Sequence, residues 1–216
     1  MTTKKSMSFA GITSIAGAVS MLIGAAFWIA SGTDLWQALA DNQMEIYLAQ
    51  LPDVSQLLVL NTSFWVLGVL LMATAATLMA TYCTSNPALA QMGKVFSRTG
   101  ASIAIVSFLL MLSLAVVNST VDIATIIGWT GTRLDGIATM LIIGFSPLFL
   151  SIAGRADWVP GWLYNWGFLA GLAGVLCIIS AYTGIIELEF VIIPIGIGWK
   201  IAAGIVLIKR SKSIAG

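Results

Sequence analysis

Six long apolar segments, at roughly residues 9–30, 57–82, 100–117, 132–153, 161–183 and 190–208, govern what this chain can become. Each is close to the roughly 20 residues an α-helix needs to cross about 30 Å of hydrocarbon. In that medium a backbone has no water to bond, so it satisfies its own N–H and C=O groups by coiling. The expected fold is therefore all-α: a polytopic transmembrane helical bundle of about six spans, forming a single transmembrane domain over residues 1–216. Composition agrees, because 59% of the residues are hydrophobic and 9% charged, whereas soluble domains carry about a quarter charged residues. A water-soluble globule is excluded.

The first segment follows Lys4 and Lys5 and superficially resembles a signal peptide. It is too long for that and ends in no small-residue cleavage site, so it is expected to stay as the first helix. Residues 31–54 carry Asp34, Asp41, Glu45 and Asp53 with no Lys or Arg. They are expected to form an external loop, with a short amphipathic helix from about Leu35 to Leu48. Pro87 is expected to stop the second helix. Asn118, Ser119, Thr120 and Asp122 mark a turn, and Gly128 and Gly131 bracket Trp129 ahead of the fourth helix. Pro160 is well placed to open the fifth.

Charge then orients the bundle. Lys4, Lys5, Lys94, Arg98, Arg155, Lys209, Arg210 and Lys212 all fall on one side of six crossings. Asp34, Asp41, Glu45, Asp53, Asp122, Glu187 and Glu189 fall on the other. Lys and Arg collect on the cytoplasmic side, which places both termini there, N-in and C-in. Trp28, Trp36 and Trp129 near one boundary and Trp158, Trp162 and Trp166 near the other suit the interfacial preference of indole.

Three stretches carry a likeness: ITSIAGAVSMLIG in the first helix, FSPLFLSIAGRADWVPGWLYNWGFLAG across the fourth and fifth, and PIGIGWKIAAGIVLIKRS at the end. Together they resemble a family of uncharacterised bacterial six-helix integral membrane proteins known only as a domain of unknown function. In that family a helix ends in a small polar loop, and a Pro followed by a bulky apolar residue and Leu restarts the chain. The last helix there closes on Leu-Ile-Lys. Pro160, Trp162, Leu163 and Leu207-Ile208-Lys209 occupy those places. The chain departs from the pattern in the last helix, where Trp199 and Lys200 stand in the region of a frequent acidic residue. The resemblance implies a six-helix bundle in the bacterial inner (plasma) membrane and supplies no activity.

Ten Lys plus Arg against nine Asp plus Glu leave a net charge of +1, with no basic excess to hold nucleic acid. The chain has no histidine, which disfavours haem and histidine-ligated metals and removes the commonest general base. No cofactor is expected. Cys83 and Cys177 form no CxxC and read as packing residues. GxSxG, HExxH, GxxxxGK[ST] and a strand-linked GxGxxG are all absent, and no catalytic residue is assigned.

Lys200 is the most informative side chain. It lies about eleven residues into the last segment, ~16 Å from its outer end, where a cation is costly unless it is paired or faces the bundle interior. Lys200 is expected either to fix the last helix against its neighbours by bonding carbonyls, hydroxyls or a carboxylate or, with Trp199 beside it, to form the charged wall of a ligand or ion pathway. Asp135 and Asp122 are candidate partners from the outer side, although depth argues against a direct Lys200–Asp135 bridge. Arg133 and Asp135, two apart on one helix, should face different neighbours. Small residues at Gly167, Gly171, Gly174, Gly196, Ala203 and Gly204 should let helices approach closely, within the bundle or in a homo-oligomer.

The reading that follows is a protein whose bundle binds or passes a small or apolar molecule in a cavity between the fourth and sixth helices. One alternative is a structural or accessory subunit of a larger membrane complex. Another is a histidine-free enzyme acting on membrane lipid, with Arg155 and Asp157 by Trp158 as its inner polar groups.

Overall fold

The computed structural model describes the backbone of residues 3–117, 119–183 and 187–213, and their side chains except those of residues 3 and 187–192. Among these residues the chain is helical, with no strand. The elements are α1 (Thr3–Ser31), α2 (Leu35–Ala40), α3 (Met44–Ala80), α4 (Pro87–Val116), α5 (Val121–Thr139), a π-helical turn (Met140–Phe145), α6 (Ser146–Ala153), α7 (Gly161–Thr183) and α8 (Glu187–Ser213). The π turn joins α5 and α6 into one rod, Val121–Ala153. Among the described residues, five helices are long and apolar enough to cross a membrane: α1 from Lys4, α3, α4, this rod and α7. The protein is a multi-pass helical bundle.

Sequence neighbours pack side by side. α1 lies on α3, α3 on α4, α4 on the rod, the rod on α7 and α7 on α8, and α8 returns to α1. The rod also reaches α3 and α8. Close approach depends on missing side chains. A methyl group on Gly11 would lie 2.6 Å from Gly204 O, and one on Gly17 would lie 2.8 Å from Met72 Cγ. Gly167 meets Ser151, Gly174 meets Gly144 and Gly196 meets Ile143. The small faces of α7 and α8 are thus used inside the bundle.

Several helices begin earlier than the hydropathy pattern suggests. The expected loop at 31–54 is instead mostly helix, and α3 starts at Met44, thirteen residues before 57. Met44, Tyr47 and Leu51 are buried on one face against Leu35, Leu39, Leu114 and Ala124. Glu45 and Asp53 are exposed on another side of α3, and Pro52 is accommodated inside the helix. Asp34 caps α2 by accepting from Gln37 N at 3.0 Å, and Asn42, at φ 56°, turns the chain into α3. Asn86 caps α4 by accepting from Leu89 N, and Pro87 sits in its first turn, so Pro87 opens a helix thirteen residues before 100. Gly128 and Gly131 lie inside α5, packed on Leu39 and Met111. Asn118 lies outside the described residues, as do the side chains of Glu187 and Glu189.

The helix termini sort into two ends. At the basic end Tyr82 Oη and Ser6 Oγ are 2.6 Å apart, Thr84 Oγ1 donates to Asp157 Oδ1 at 2.7 Å, and Arg210 Nη1 donates to Asp157 O at 2.6 Å. These bonds gather the starts of α1 and α4, the α6–α7 turn and the end of α8. At the opposite, acidic end α2 lies over α5, and Trp28 meets Trp36 edge-on at 5.9 Å.

Candidate functional site

In the acidic half of the bundle α1 and α8 diverge. Toward the basic end they are pinned, by the Gly11–Gly204 contact and by Ser14 Oγ donating to Lys200 O at 2.7 Å. Beyond that point they stand apart around a cavity of about 280 Å³. Its first wall is α1, through Met21, Leu22, Ala25, Trp28 and Ile29, and α8 faces it with Ile193, Pro194 and Ile197. Trp65, Val69, Ala104 and Phe108 of α3 and α4 form the back, where the Trp65 and Phe108 rings lie 5.2 Å apart. Met72, Ile142 and Ile143 close the floor, and Trp36, Asp135, Ala138 and Thr139 complete the lining.

Hydrogen bonds hold the α1–α3 wall in place. Trp65 Nε1 donates to Met21 O at 3.2 Å, Asn61 Nδ2 to Gly24 O at 2.9 Å, and Ser20 Oγ to Phe64 O at 2.7 Å. These side chains spend their donors on backbone carbonyls, so the polar groups of α1 and α3 are used between the helices and the cavity surface stays apolar. Asp135 is the one charged side chain in the lining among the described residues. At the gap between α1 and α8, Leu22 is 51% and Ile29 67% exposed. The opening is therefore edged by aliphatic side chains on the outer surface of the bundle, the surface that faces lipid when these helices span a bilayer.

The floor owes its shape to Pro147. Proline has no N–H for the carbonyl of Ile143, and its ring crowds that carbonyl in an α-helix. The helix widens to a π turn over Met140–Phe145, with Ser146 N bonding back to Leu141 O. Such single π turns recur at functional sites. Here the turn presents Ile142 and Ile143 to the cavity.

The sequence candidates separate. Asp135 reaches the cavity, half-buried. Lys200 is fully buried but lies one turn beyond Ile197, beneath the floor, and its Nζ makes no hydrogen bond. The cavity does lie between the rod and α8, yet Lys200 is not its polar feature. Trp199 is also fully buried, and its Nε1 donates to Ser151 Oγ at 2.9 Å and Leu163 O at 3.3 Å, tying α8 to α6 and α7. Arg133 is exposed, its guanidinium 4.9 Å from the Trp129 ring centre and 5.4 Å from that of Tyr182. Asp122 is exposed in the first turn of α5. Neither lines the cavity.

At the basic end a second cleft, about 420 Å³, is bordered by Tyr82, Thr84, Asp157, Trp158 and Arg210. Both Asp157 oxygens are engaged: Thr84 Oγ1 and Ser85 Oγ donate to Oδ1, and Ser85 N donates to Oδ2 at 3.0 Å. The Thr84 hydrogen bond leads in holding this carboxyl below its ordinary range. Cys83 accepts from Trp158 Nε1 at 3.3 Å, and burial pushes its thiol up to about 11. Arg155 lies 5.6 Å from the Tyr164 ring centre. The carboxylate named for a lipid enzyme is thus a strut between two turns. Among the described residues no three His, Cys, Asp or Glu side chains gather as metal ligands would.

Hydropathy reasoning missed the contribution of α1 and α3 to the cavity, because their lining residues are ordinary membrane-helix residues. Pro147 within an apolar segment was the available sign of an irregular floor. Compared with protein-family models, characterised proteins and solved structures, the chain matches none.

Proposed function

We propose that this protein binds a small apolar molecule drawn from the bilayer, in the cavity between α1, α3, the rod and α8. The observation that carries the reading is the cavity's character: about 280 Å³, apolar on nearly every face, edged by exposed aliphatic side chains. An enclosed apolar cavity of about 150 Å³ holds benzene, so this one suits a molecule about twice that size or one end of a longer chain. Asp135 is the polar group that selects, favouring a neutral or basic head over an anionic one.

The same reading has α8 as a sixth crossing, with both termini on the cytoplasmic side of a bacterial inner membrane. Support comes from the Lys and Arg residues gathered at one end and Asp34, Asp41, Glu45, Asp53 and Asp122 at the other. The resemblance to a six-helix family agrees. Cysteine-accessibility mapping tests this part, with the prediction that residues near Thr84 and Ser213 label only from the cytoplasmic face.

Binding is tested by photolabelling in nanodiscs with a long-chain alcohol that carries a diazirine. Saturable labelling of Met72 or Val69 is expected, since both are essentially inaccessible except through the cavity. Labelling confined to the outer surface of α3, at Leu67 and Leu70, would overturn the proposal.

A further inference from the structure

Beneath the cavity floor, three buried polar atoms have no hydrogen-bond partner among the described residues: Ser97 Oγ, Ser146 Oγ and Lys200 Nζ. All three residues are 0% exposed. Hydroxyls on helices in this protein usually return to their own backbone, as Ser63 does to Val59 O, Thr74 to Leu70 O and Ser102 to Arg98 O. Ser97 and Ser146 do not, which leaves both hydroxyls directed elsewhere.

Helix register places the three at one level. A methyl group on Gly93 would lie 2.9 Å from Leu150 Cγ, and one on Gly100 would lie 2.7 Å from Ile142 Cγ1. Ser97, one turn from each glycine, therefore comes opposite Ser146. Gly196 lies against Ile143, and α8 runs parallel to the rod, so one turn further on Lys200 comes level with Ser146 and Pro147. From the Trp65–Phe108 contact, α3 and α4 run antiparallel toward the basic end, bringing Ala75 and Ala76 opposite Ser97. Both alanines are 0% exposed and bring no polar group to that level. The Ser14–Lys200 O bond, at 2.7 Å, belongs to the same layer.

This donor set has a definite chemistry. An ammonium offers three N–H donors and no acceptor, and two hydroxyls add two O–H donors. A lone cation in such a place is expensive, because its desolvation is offset only by a close opposite charge. No carboxylate of the described residues bonds to Nζ. Its recorded electrostatic neighbour is the Trp199 ring, centred 5.7 Å away. We infer that Lys200, Ser97 and Ser146 hold a small monovalent anion of the halide class at the centre of the bundle, beneath the apolar cavity. This site does not depend on the cavity being a binding site.

The test is thermal unfolding of the full chain in detergent, in chloride, bromide or gluconate at constant ionic strength. Ligand that binds only the folded state raises the midpoint once its concentration passes Kd, and the rise then continues with the logarithm of that concentration. A rise of several degrees that grows with the logarithm of halide concentration, roughly 3–5 °C for a chain of this size, is expected in chloride and bromide over gluconate. Lys200→Met should abolish the response and, with the buried charge gone, unfold in gluconate no earlier than the unsubstituted chain. Ser97→Ala combined with Ser146→Ala should keep the fold and move the halide concentration at which the midpoint begins to rise about tenfold or more upward. This double variant carries the test if Lys200→Met does not fold. An unsubstituted chain indifferent to halide, as a water-filled layer would make it, overturns the proposal. So does a halide response that survives in Lys200→Met or is unchanged in the double variant.

Discussion

Ala25→Phe should stabilise the protein and blunt its response to apolar ligand. Ala25 is half-buried on the α1 wall of the cavity, between Met21 and Trp28 on the same face. A cavity of about 150 Å³ accommodates a benzene ring. The phenyl ring would take roughly half of the 280 Å³ and leave a remnant too small for a drug-sized or chain-like molecule. Unfilled space costs about 24 cal/mol per Å³, so filling about 150 Å³ gains at most ~3.6 kcal/mol. At about 2–4 °C per kcal/mol for a chain of this length, the midpoint should rise in delipidated detergent, by no more than roughly 7–14 °C. The assay is intrinsic tryptophan fluorescence on heating, to which Trp28, Trp36 and Trp65 at the cavity contribute. Adding a long-chain alcohol should raise the midpoint of the unsubstituted chain and leave that of Ala25→Phe almost unmoved. Equal responses of the two proteins, or a destabilised but well-folded Ala25→Phe, would refute the argument that this space is accessible and apolar.

The same physical account makes three further predictions at the basic end. Asp157 has a depressed pKa, so its contribution to stability is present above the ordinary carboxylate value of about 4 and is lost as pH falls through its lower folded value. Melting curves of Asp157→Asn should accordingly lie below those of the unsubstituted chain near neutrality and merge with them in acid. Cys83, with its thiol raised to about 11 by burial, should resist maleimide in the folded protein at neutral pH and react once the protein is denatured, as mass spectrometry would show. Gly11→Leu drives a side chain into Gly204 O and Ile208 and should cost about 3 kcal/mol or more, read as a drop in the thermal midpoint.

The fold was legible where the solvent dictated it. Apolar length fixes the existence of the helices, because a segment such as Gly161–Thr183 has no other way to satisfy its backbone in lipid. Helix starts were less legible where a helix leaves the apolar region. Met44, Tyr47 and Leu51 form a buried stripe of α3, but Glu45 and Gln50 among them and Pro52 and Asp53 just after dilute the hydropathy. Pro87 was read as a stop, although its fixed φ serves equally to begin α4. For the site, Lys200 could be singled out because an ionisable residue deep in an apolar helix is rare. Its separation from the cavity could not be read, since it depends on Ile197 and the π turn at Met140–Phe145 forming a floor between them. Ser97 and Ser146 escaped notice because a serine in a membrane helix normally satisfies itself on its own backbone. Only their geometry shows that these two do not.

A cryo-electron microscopy map of the protein in lipid nanodiscs tests the central claim most directly, combined with mass spectrometry of what remains bound after purification. The account predicts elongated density between α1 and α8, resting on Ile142, Ile143 and Ile197, and a co-purifying apolar molecule that Ala25→Phe no longer retains. Contact between α1 and α8 along their whole length, with Met21 and Met72 filling the space and no bound molecule, would contradict it.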